Sequence, residues 1–501
     1  MPVSPSAMKR SLVSLAVATV AGIAGIAGIS AMALQSAPSS PPPAENAGPA
    51  PSPPPSLTAE IRARAATLRD EALRGTRAYE IARSLVVEVG PRPAGSKADA
   101  AAVEWALRKM KELGFANVRA EKVTVPHWVR GQESGRILAP YPQPVVLAAL
   151  GGSVGTTDEG IEAEVIEAAS VEALDALDPA RVRGKIVFLN VRMERTRDEK
   201  GYGDAVPARS AGPSHAARLG AVAVLIRSIG TDRDRVPHTG GTRYEEGVPR
   251  IPAAALSNPD ADLLAAQVAS GKPVTFRLKL GSRLLGEAES ANVIGEVRGR
   301  ERPEEIVLIA CHLDSWDLGT GALDDAAGCG IVAEAARRIA PLRPRRTIRV
   351  VFFANEEFGL SGARAYAEAH AGELAKHVLA AESDFGAGRV WRLRSRVAPA
   401  ALPFVGQLAE LLRPLGVEQG DNNESSGGAD LIPLQPAHVP VLAFGQDATH
   451  YFDWHHTAND TLDKIDPKEL DQNVAAWAAV IYAAAETPGT FGPAPDYVPE
   501  P

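Results

Sequence analysis

A histidine and two adjacent acids lie close together in the middle of the chain. His312 is followed, a short way along, by the pair Asp324 and Asp325. Zinc binds imidazole nitrogen and carboxylate oxygen, and one carboxylate can bridge two ions that lie about 3.5 to 4 Å apart. The residue types and their spacing therefore indicate a hydrolytic metal site.

Three later segments supply more residues of the same types. They are residues 355–359 with Glu356 and Glu357, residues 382–384 with Asp384, and residues 454–457 with His455 and His456. Each segment follows an apolar run that reads as a strand. Because ligands of open α/β sheets bind beyond the carboxyl ends of the strands, we expect these side chains to meet at one edge of a sheet.

Short apolar runs and one helix are the elements that must position these side chains. Residues 306–310 lead into His312 and residues 348–353 lead into the pair Glu356 and Glu357, and both runs contain the β-branched residues typical of strands. Residues 326–339 read as a helix, with alanine, glutamate and arginine in the later turns. Asp324 is thus predicted at a strand-to-helix junction.

Each fragment alone has a simpler interpretation. Two aspartates before a helix usually cap it, and paired glutamates after a strand usually form a solvated turn. Cys311 and Cys329 are small enough to be ordinary core residues. Only the complete order of histidine, aspartate, glutamate, aspartate and histidine, each after a strand, favours a metal site over these alternatives.

The whole pattern resembles the M28 family of zinc peptidases and, within it, the carboxypeptidase Q group. Beyond the candidate metal segments, the family likeness covers residues 90–96 (Gly-Pro-Arg-Pro-Ala-Gly-Ser) and 291–295, and the likeness to the group covers residues 126–131 and the segments around 451–467. The resemblance implies an α/β zinc-exopeptidase fold, with a central mixed sheet flanked by helices. It also implies hydrolysis of peptide bonds as the activity.

Five residues are implied as ligands of two zinc ions by this resemblance. One zinc is expected on His312, Asp324 and Asp384. The other is expected on Asp324, Glu357 and His456, so that Asp324 bridges the two ions. His456 is preferred to its neighbour His455 because a threonine and then an Asp-Thr pair follow it, as they follow the family's ligand.

Two further acids are implied as catalytic. Glu356, directly before a ligand, is the expected general base that takes a proton from the attacking water and passes it to the leaving amine. Asp314 stands two residues after His312, where the family has the acid that orients the ligand imidazole. The family also has a cis peptide after the bridging aspartate, which predicts one between Asp324 and Asp325.

Two segments depart from the family pattern. Cys311 stands where many members have glycine, and a weak thiolate ligand is the alternative to its being a buried residue. Residues 428–430 read Gly-Ala-Asp, where the aminopeptidase branch often has Ser-Asp-His. The second departure favours the carboxypeptidase Q group.

The length and composition are consistent with an enzyme of two lobes. The chain has 501 residues, 45% of them hydrophobic and 23% charged, with a net charge of -8. This mild acidity gives no reason to expect nucleic acid, whose binding proteins carry basic patches; the small peptide substrate is implied by the family resemblance. The dense basic run at residues 343–346 is predicted to be a solvated loop, and no disulfide is expected between Cys311 and Cys329.

The chain divides into several segments. Residues 1–35 read as an export signal, with an uncleaved membrane anchor as the alternative, because Lys9 and Arg10 precede an apolar stretch that ends at a small-residue cleavage site. Residues 36–56 form a linker rich in proline, alanine and serine. The catalytic domain is expected over residues 57–130, with helices over 59–82 and 98–113, and again over 291–489. Residues 490–501 are expected to be a disordered tail.

The insert over residues 131–290 carries short strands and no metal-binding set. It resembles the β-rich protease-associated domain of some M28 members, which would cover the site and restrict substrate length. A stabilising role, or the interface of a homodimer, is the alternative.

The favoured function is hydrolysis of small peptides or dipeptides by a two-zinc exopeptidase that is exported to the periplasm or the medium. A general aminopeptidase of broader length range is one alternative. A single-zinc glutaminyl cyclase and an inactive binding module are two others, and the complete ligand set disfavours both.

Overall fold

Strands and helices alternate along residues 53–498, the part of the chain that the computed structural model describes. The predicted export signal and most of the predicted linker lie outside these residues. The strands are β1 Ala116–Val129, β2 Glu133–Ala139, β3 Gln143–Val145, β4 Leu147–Ala149, β5 Ile161–Ala168, β6 Ile186–Leu189, β7 Ala223–Arg227, β8 Ala253–Leu256, β9 Thr275–Leu280, β10 Arg283–Val297, β11 Arg302–His312, β12 Arg346–Phe353, β13 His377–Glu382, β14 Val390–Arg396, β15 Glu418–Gln419 and β16 Val441–Gln446.

The helices range from single turns to a long C-terminal helix. They are α1 Ala59–Ala72, α2 Ala78–Glu88, α3 Lys97–Glu112, α4 Val171–Asp175, α5 Pro179–Val182, α6 Lys200–Ala205, α7 Pro207–Ser210, α8 Gly212–Arg218, α9 Asn258–Ala269, α10 Ala327–Ile339, α11 Ser361–Ala369, α12 Leu402–Leu412 and α13 Pro467–Glu486. Among the described helices, none is both long and apolar enough to cross a membrane.

The first sheet is mixed and has the strand order β1-β10-β12-β11-β13-β16-β14-β15. Its central strands β12, β11, β13 and β16 run parallel, so their carboxyl ends lie at one edge. The central part of β11, residues 306–310, is apolar because both faces of the sheet are covered there. Val307 and Ile309 of β11 join the core beneath α10 and α13, whereas Leu308 and Ala310 join the core that includes Tyr366 of α11. The predicted α/β fold with a central mixed sheet flanked by helices is confirmed.

A second mixed sheet is built from residues 133–280, in the order β3-β2-β9-β5-β6-β7-β8-β4. Strands β5 to β8 are parallel, and the sheet has its own apolar core around Phe188 and Phe276. The segment 131–282, called the insert from here on, contains this sheet. The predicted boundary at residue 290 is wrong, because it falls inside β10, which pairs with β1 of the first sheet from Arg283 onward.

Three other expectations from the sequence are corrected by packing. The predicted helix over residues 59–82 is two helices, α1 and α2, separated by a turn in which Gly75 has a φ of 141°. Arg346 of the predicted solvated loop is fully buried at the start of β12, where it pairs with Glu305 at 2.5 Å. The expected tail is ordered at its start, because Phe491 is buried against Phe404 of α12.

Candidate active site

The parallel strands bring the candidate residues to one edge of the first sheet. His312 is the last residue of β11 and lies beside Phe353, the last residue of β12. Glu356 and Glu357 follow β12 after a turn at Asn355, whose φ is 59°. Asp384 comes two residues after the end of β13. Three of the predicted segments therefore meet because their strands are parallel neighbours.

The loop that carries Asp324 is held by two buried charged residues. The guanidinium of Arg92 donates hydrogen bonds to the carbonyl oxygens of Leu313 at 2.6 Å and of Gly321 at 3.0 Å. The carboxylate of Asp460 accepts the backbone N–H of Leu323 at 2.7 Å. Arg92 and Asp460, which belong to segments that share the family likeness, therefore hold the loop that carries Asp324. The predicted cis peptide between Asp324 and Asp325 is present.

Asp324 faces two separate groups of side chains with its two carboxylate oxygens. Its Oδ1 lies 2.9 Å from Nε2 of His312, which is also 3.1 Å from Oδ1 of Asp384. Its Oδ2 lies 3.2 Å from Nε2 of His456, which is also 3.2 Å from Oε2 of Glu357. The five residues predicted as ligands thus form two groups of three that share one carboxylate.

His455 lies beside this pair of groups. Its ring stacks on that of His456, with the ring centroids 3.5 Å apart, and its Nε2 is 3.7 Å from Oδ2 of Asp324. His456 makes the shorter contact with Asp324 and also contacts Glu357. The geometry therefore favours His456 as the ligand and His455 as the packing neighbour.

Burial and the crowding of charges perturb the pKa values of these groups. Burial lowers the pKa of His312, but the carboxylates of Asp384, Asp314 and Asp324 outweigh it and raise that pKa well above its usual value. Burial lowers the pKa of His456 to about 4, so its imidazole is neutral and able to bind a metal at neutral pH. Burial, followed by the charge of Asp324, raises the pKa of Glu357 well above its usual value.

The donor set fits zinc. Imidazole nitrogens and carboxylate oxygens within about 3 Å of one another are the ligands of catalytic zinc sites. Oε1 of Glu357 is buried and has no hydrogen-bond partner among the described residues. A buried carboxylate oxygen costs free energy unless it is paired, and a dication would pair it.

Asp314 links His312 to the segment with Glu356. Its backbone carbonyl oxygen lies 3.1 Å from Nδ1 of His312 and accepts that N–H, while its carboxylate is 3.6 Å from the same nitrogen. The carboxylate Oδ1 also accepts the backbone N–H of Glu356 at 3.0 Å. Asp314 therefore restrains both the imidazole and the residue expected to act as general base.

Cys311 and Cys329 form a disulfide, so the expectation of two unpaired cysteines is wrong. The end of β11 packs against the first turn of α10, which brings the two Cα atoms to 5.3 Å, within the range that a disulfide requires. Since both sulfurs are bonded, the alternative of a thiolate ligand from Cys311 does not apply.

A cavity of about 690 Å³ opens over the two ligand groups. Its walls include Trp128 and, from the insert, Tyr202, Arg209 and Thr242. These insert residues could not be selected from the sequence, because none belongs to a motif and all are distant in the chain from the ligands. Only the packing of the insert against the first sheet brings them to the site.

Asp430 is one of the residues 428–430 that depart from the family pattern, and it is fully buried near the cavity. Its backbone N–H donates to Oε2 of Glu382 at 2.9 Å. Burial, followed by the charge of Asp384, raises the pKa of Glu382 to about 8. The site thus holds more carboxyl groups than the candidate ligands alone.

The fold and the site together define a class: an α/β metallohydrolase whose polar centre lies at the carboxyl ends of parallel strands. The chain matches the model of peptidase family M28 over residues 292–481. It is 36% identical to carboxypeptidase Q of Mus musculus over 412 residues, which are 82% of this chain and 86% of that protein. It is 25% identical to aminopeptidase YwaD of Bacillus subtilis (strain 168), over 83% of this chain and 86% of that protein.

A solved structure is also similar. The peptidase M28 precursor from Shewanella amazonensis SB2B has a TM-score of 0.85 and 49% sequence identity, covering 87% of this chain and 99% of that chain. The chain belongs to peptidase family M28 and is a metallopeptidase, which confirms the predicted family.

Proposed function

We propose that this metallopeptidase is a two-zinc exopeptidase of small peptides. One zinc would be held by His312, Asp324 and Asp384, and the other by Asp324, Glu357 and His456. The observation that carries the proposal is that Oδ1 of Asp324 faces one group of ligands and its Oδ2 faces the other. A carboxylate that bridges two metal ions needs this arrangement.

Two zinc ions held by these residues would activate a water molecule and polarise the scissile carbonyl group. Glu356, which lines the cavity, would take the proton of the attacking water and return it to the leaving amine. It is buried, and burial together with the charge of Asp384 raises the pKa of its carboxyl group well above the usual value, which suits a proton acceptor in a shielded site. Asp314 holds the backbone of Glu356 in place.

Arg209 supports a substrate with a free carboxylate. Arg209 lines the cavity and is 6% exposed. Its guanidinium has polar contacts with the hydroxyl of Tyr202, the carbonyl of Thr239 and Nδ1 of His456, and lies over the ring of Tyr202. No described carboxylate forms an ion pair with it, and its Nε has no hydrogen-bond partner in this part of the chain. A buried cation without an acidic partner favours an anionic group on the ligand. We propose that this group is the C-terminal carboxylate of a dipeptide.

The insert supports the same preference for short substrates. It forms one wall of the cavity through Tyr202, Arg209 and Thr242. We propose that these side chains restrict substrate length, because a long peptide would have to extend past them and a dipeptide would not.

Hydrolysis of one dipeptide by the full chain tests this function. The dipeptide is supplied in free, N-acetylated and C-amidated forms, with a longer free peptide alongside, before and after removal of zinc by a chelator. Zinc-dependent cleavage is expected to be at least 10-fold faster for the free dipeptide than for its amidated form or the longer peptide. Cleavage of the amidated and longer peptides at similar rates would instead make the protein a general aminopeptidase. Intact peptides in the presence of bound zinc would contradict the proposal and favour the cyclase or the binding module.

We also propose that residues 1–35 direct the protein out of the cytoplasm. The disulfide between Cys311 and Cys329 supports this location, because such bonds persist in oxidising compartments. Cell fractionation and N-terminal sequencing test the proposal. A mature chain that begins shortly after residue 33 is expected, whereas an intact N-terminus in the membrane fraction would identify an anchor.

A further inference from the structure

The insert forms hydrogen bonds with the backbone of the loop that carries His455 and His456. The backbone N–H of Thr239 donates to the carbonyl oxygen of His456 at 3.0 Å. The carbonyl oxygen of Thr239 lies 3.4 Å from Nδ1 of His456. Because Nε2 of His456 faces Asp324 and Glu357, Nδ1 carries the proton and points toward the insert. The insert therefore provides the outer contacts of a candidate zinc ligand.

His238 makes the shortest of these contacts. Its Nδ1 lies 2.7 Å from the carbonyl oxygen of His455, and since a carbonyl oxygen only accepts, Nδ1 donates. Its Nε2 lies 2.9 Å from Oδ1 of Asp232. The side chain of His238 is 1% exposed, so water does not compete for either hydrogen bond.

The surroundings of His238 are built around its ring. Oδ1 of Asp232 also lies 3.3 Å from Nδ2 of Asn258, which donates to it. Gly230 leaves room for the imidazole, because a Cβ at that position would lie 2.2 Å from Cε1 of His238. The backbone N–H of His238 donates to Oγ of Ser228 at 2.8 Å. The ring therefore has one orientation, which aims its Nδ1–H at the ligand loop.

We infer that His238, oriented by Asp232, is a positioning residue for the zinc ligand His456. The residue that it binds directly precedes this ligand in the chain, so a shift of the His455 carbonyl moves the imidazole of His456 relative to Asp324 and Glu357. The other zinc group, which contains His312 and Asp384, has no contact with His238. This role presupposes the two-zinc function proposed above and assigns part of the metal site to the insert.

Zinc titration of the metal-free protein separates the two sites. The wild type is expected to bind two zinc ions. His238→Ala is expected to weaken one of them by about 10- to 100-fold, as loss of a residue that orients a metal ligand does, and to leave the other unchanged. His215→Ala is the matched control, because His215 belongs to the same insert and pairs with Asp175 at 2.8 Å, away from the ligand loop. The control is expected to bind both ions like the wild type.

A conservative variant distinguishes positioning from a general loss of structure. The amide nitrogen of asparagine is as many bonds from Cα as Nδ1 of histidine, so His238→Asn is expected to recover most of the lost affinity. Asp232→Asn, which keeps the size of the side chain, should weaken the same single site. Circular dichroism and thermal unfolding show whether each variant is folded.

The outcomes separate this role from the underlying function. A wild type that binds fewer than two zinc ions contradicts the two-zinc proposal itself. Two ions bound with unchanged affinity by a folded His238→Ala protein, or an equal loss at both sites, overturns the positioning role alone. If His238→Ala does not fold, the Asn and Asp232→Asn variants decide, and unchanged affinity in Asp232→Asn counts against the role.

Discussion

Replacement of Arg209 by methionine tests how the substrate is held. Methionine keeps a long side chain at position 209 of α7 and removes the positive charge that Arg209 presents to the cavity. Because Arg209 is 6% exposed, water screens its charge little. A hydrogen bond to a charged partner contributes about 1.5 to 3 kcal/mol. At about 1.36 kcal/mol per factor of ten, kcat/KM for a free dipeptide should fall by about 10- to 150-fold.

The variant also loses contacts that do not involve substrate. Arg209 donates to the hydroxyl of Tyr202 and to the carbonyl of Thr239, and their loss will affect every substrate. The ratio of kcat/KM for the free dipeptide to that for its C-terminal amide removes this common effect. This ratio should fall by the full 10- to 150-fold, because the amide carries no charge for Arg209 to bind.

Arg243→Met is the matched control. Arg243 lines the same cavity but its side chain is exposed, so its loss should leave the ratio unchanged. Steady-state kinetics on both substrates with the three proteins provide the measurement. Equal losses on the free and amidated dipeptides in Arg209→Met would show that the guanidinium only supports the fold and would refute the carboxylate assignment, as would a fall of the ratio in Arg243→Met instead.

Three further changes have defined outcomes. Glu356→Gln should lower kcat/KM by about 10²- to 10⁴-fold while the zinc content measured by mass spectrometry stays the same, and retained activity would exclude Glu356 as the base. Burial raises the pKa of Asp99 to about 6, so the folded state binds more protons than the unfolded chain between about pH 4 and 6. The free energy of unfolding of the wild type relative to Asp99→Asn should therefore fall by about 2 to 3 kcal/mol as the pH rises through this window. Urea unfolding of both proteins at pH 4 and pH 7 measures this change, and an equal difference in stability at the two pH values would contradict it. Trp477→Ala should lower the free energy of unfolding by about 3 to 5 kcal/mol in calorimetry, because the indole is fully buried against Phe444; a loss below 1 kcal/mol would show that the core refills.

Local patterns predicted several elements closely. The helix expected over residues 98–113 is α3, and that expected over 326–339 is α10. In both, the helix follows the spacing of the apolar residues, and α3 ends just before Gly114, whose φ is 84°. The strands that carry the candidate ligands were also recognisable, because a strand covered on both faces must be apolar throughout.

Long-range packing decided what these patterns could not. The turn between α1 and α2 is held by Asp471 of α13, whose carboxylate accepts the backbone N–H of Thr76 at 2.8 Å. The burial of Arg346 likewise depends on a distant segment, because its guanidinium donates to the carbonyl of Thr487. The disulfide formed because the end of β11 and the start of α10 are adjacent in space.

The candidate metal site was likewise predicted only in part from the sequence. The types and order of the five candidate ligands were readable from the sequence. His312, Glu357 and Asp384 lie at or just after the ends of strands with a strong local signal, whereas Asp324 and His456 do not directly follow a strand. The sequence did not show which oxygen of Asp324 faces each group of ligands, or that Arg209 and His238 lie close to the site. Residue types determine which chemistry a site can perform, whereas distances between segments hundreds of residues apart arise only when the insert packs on the sheet.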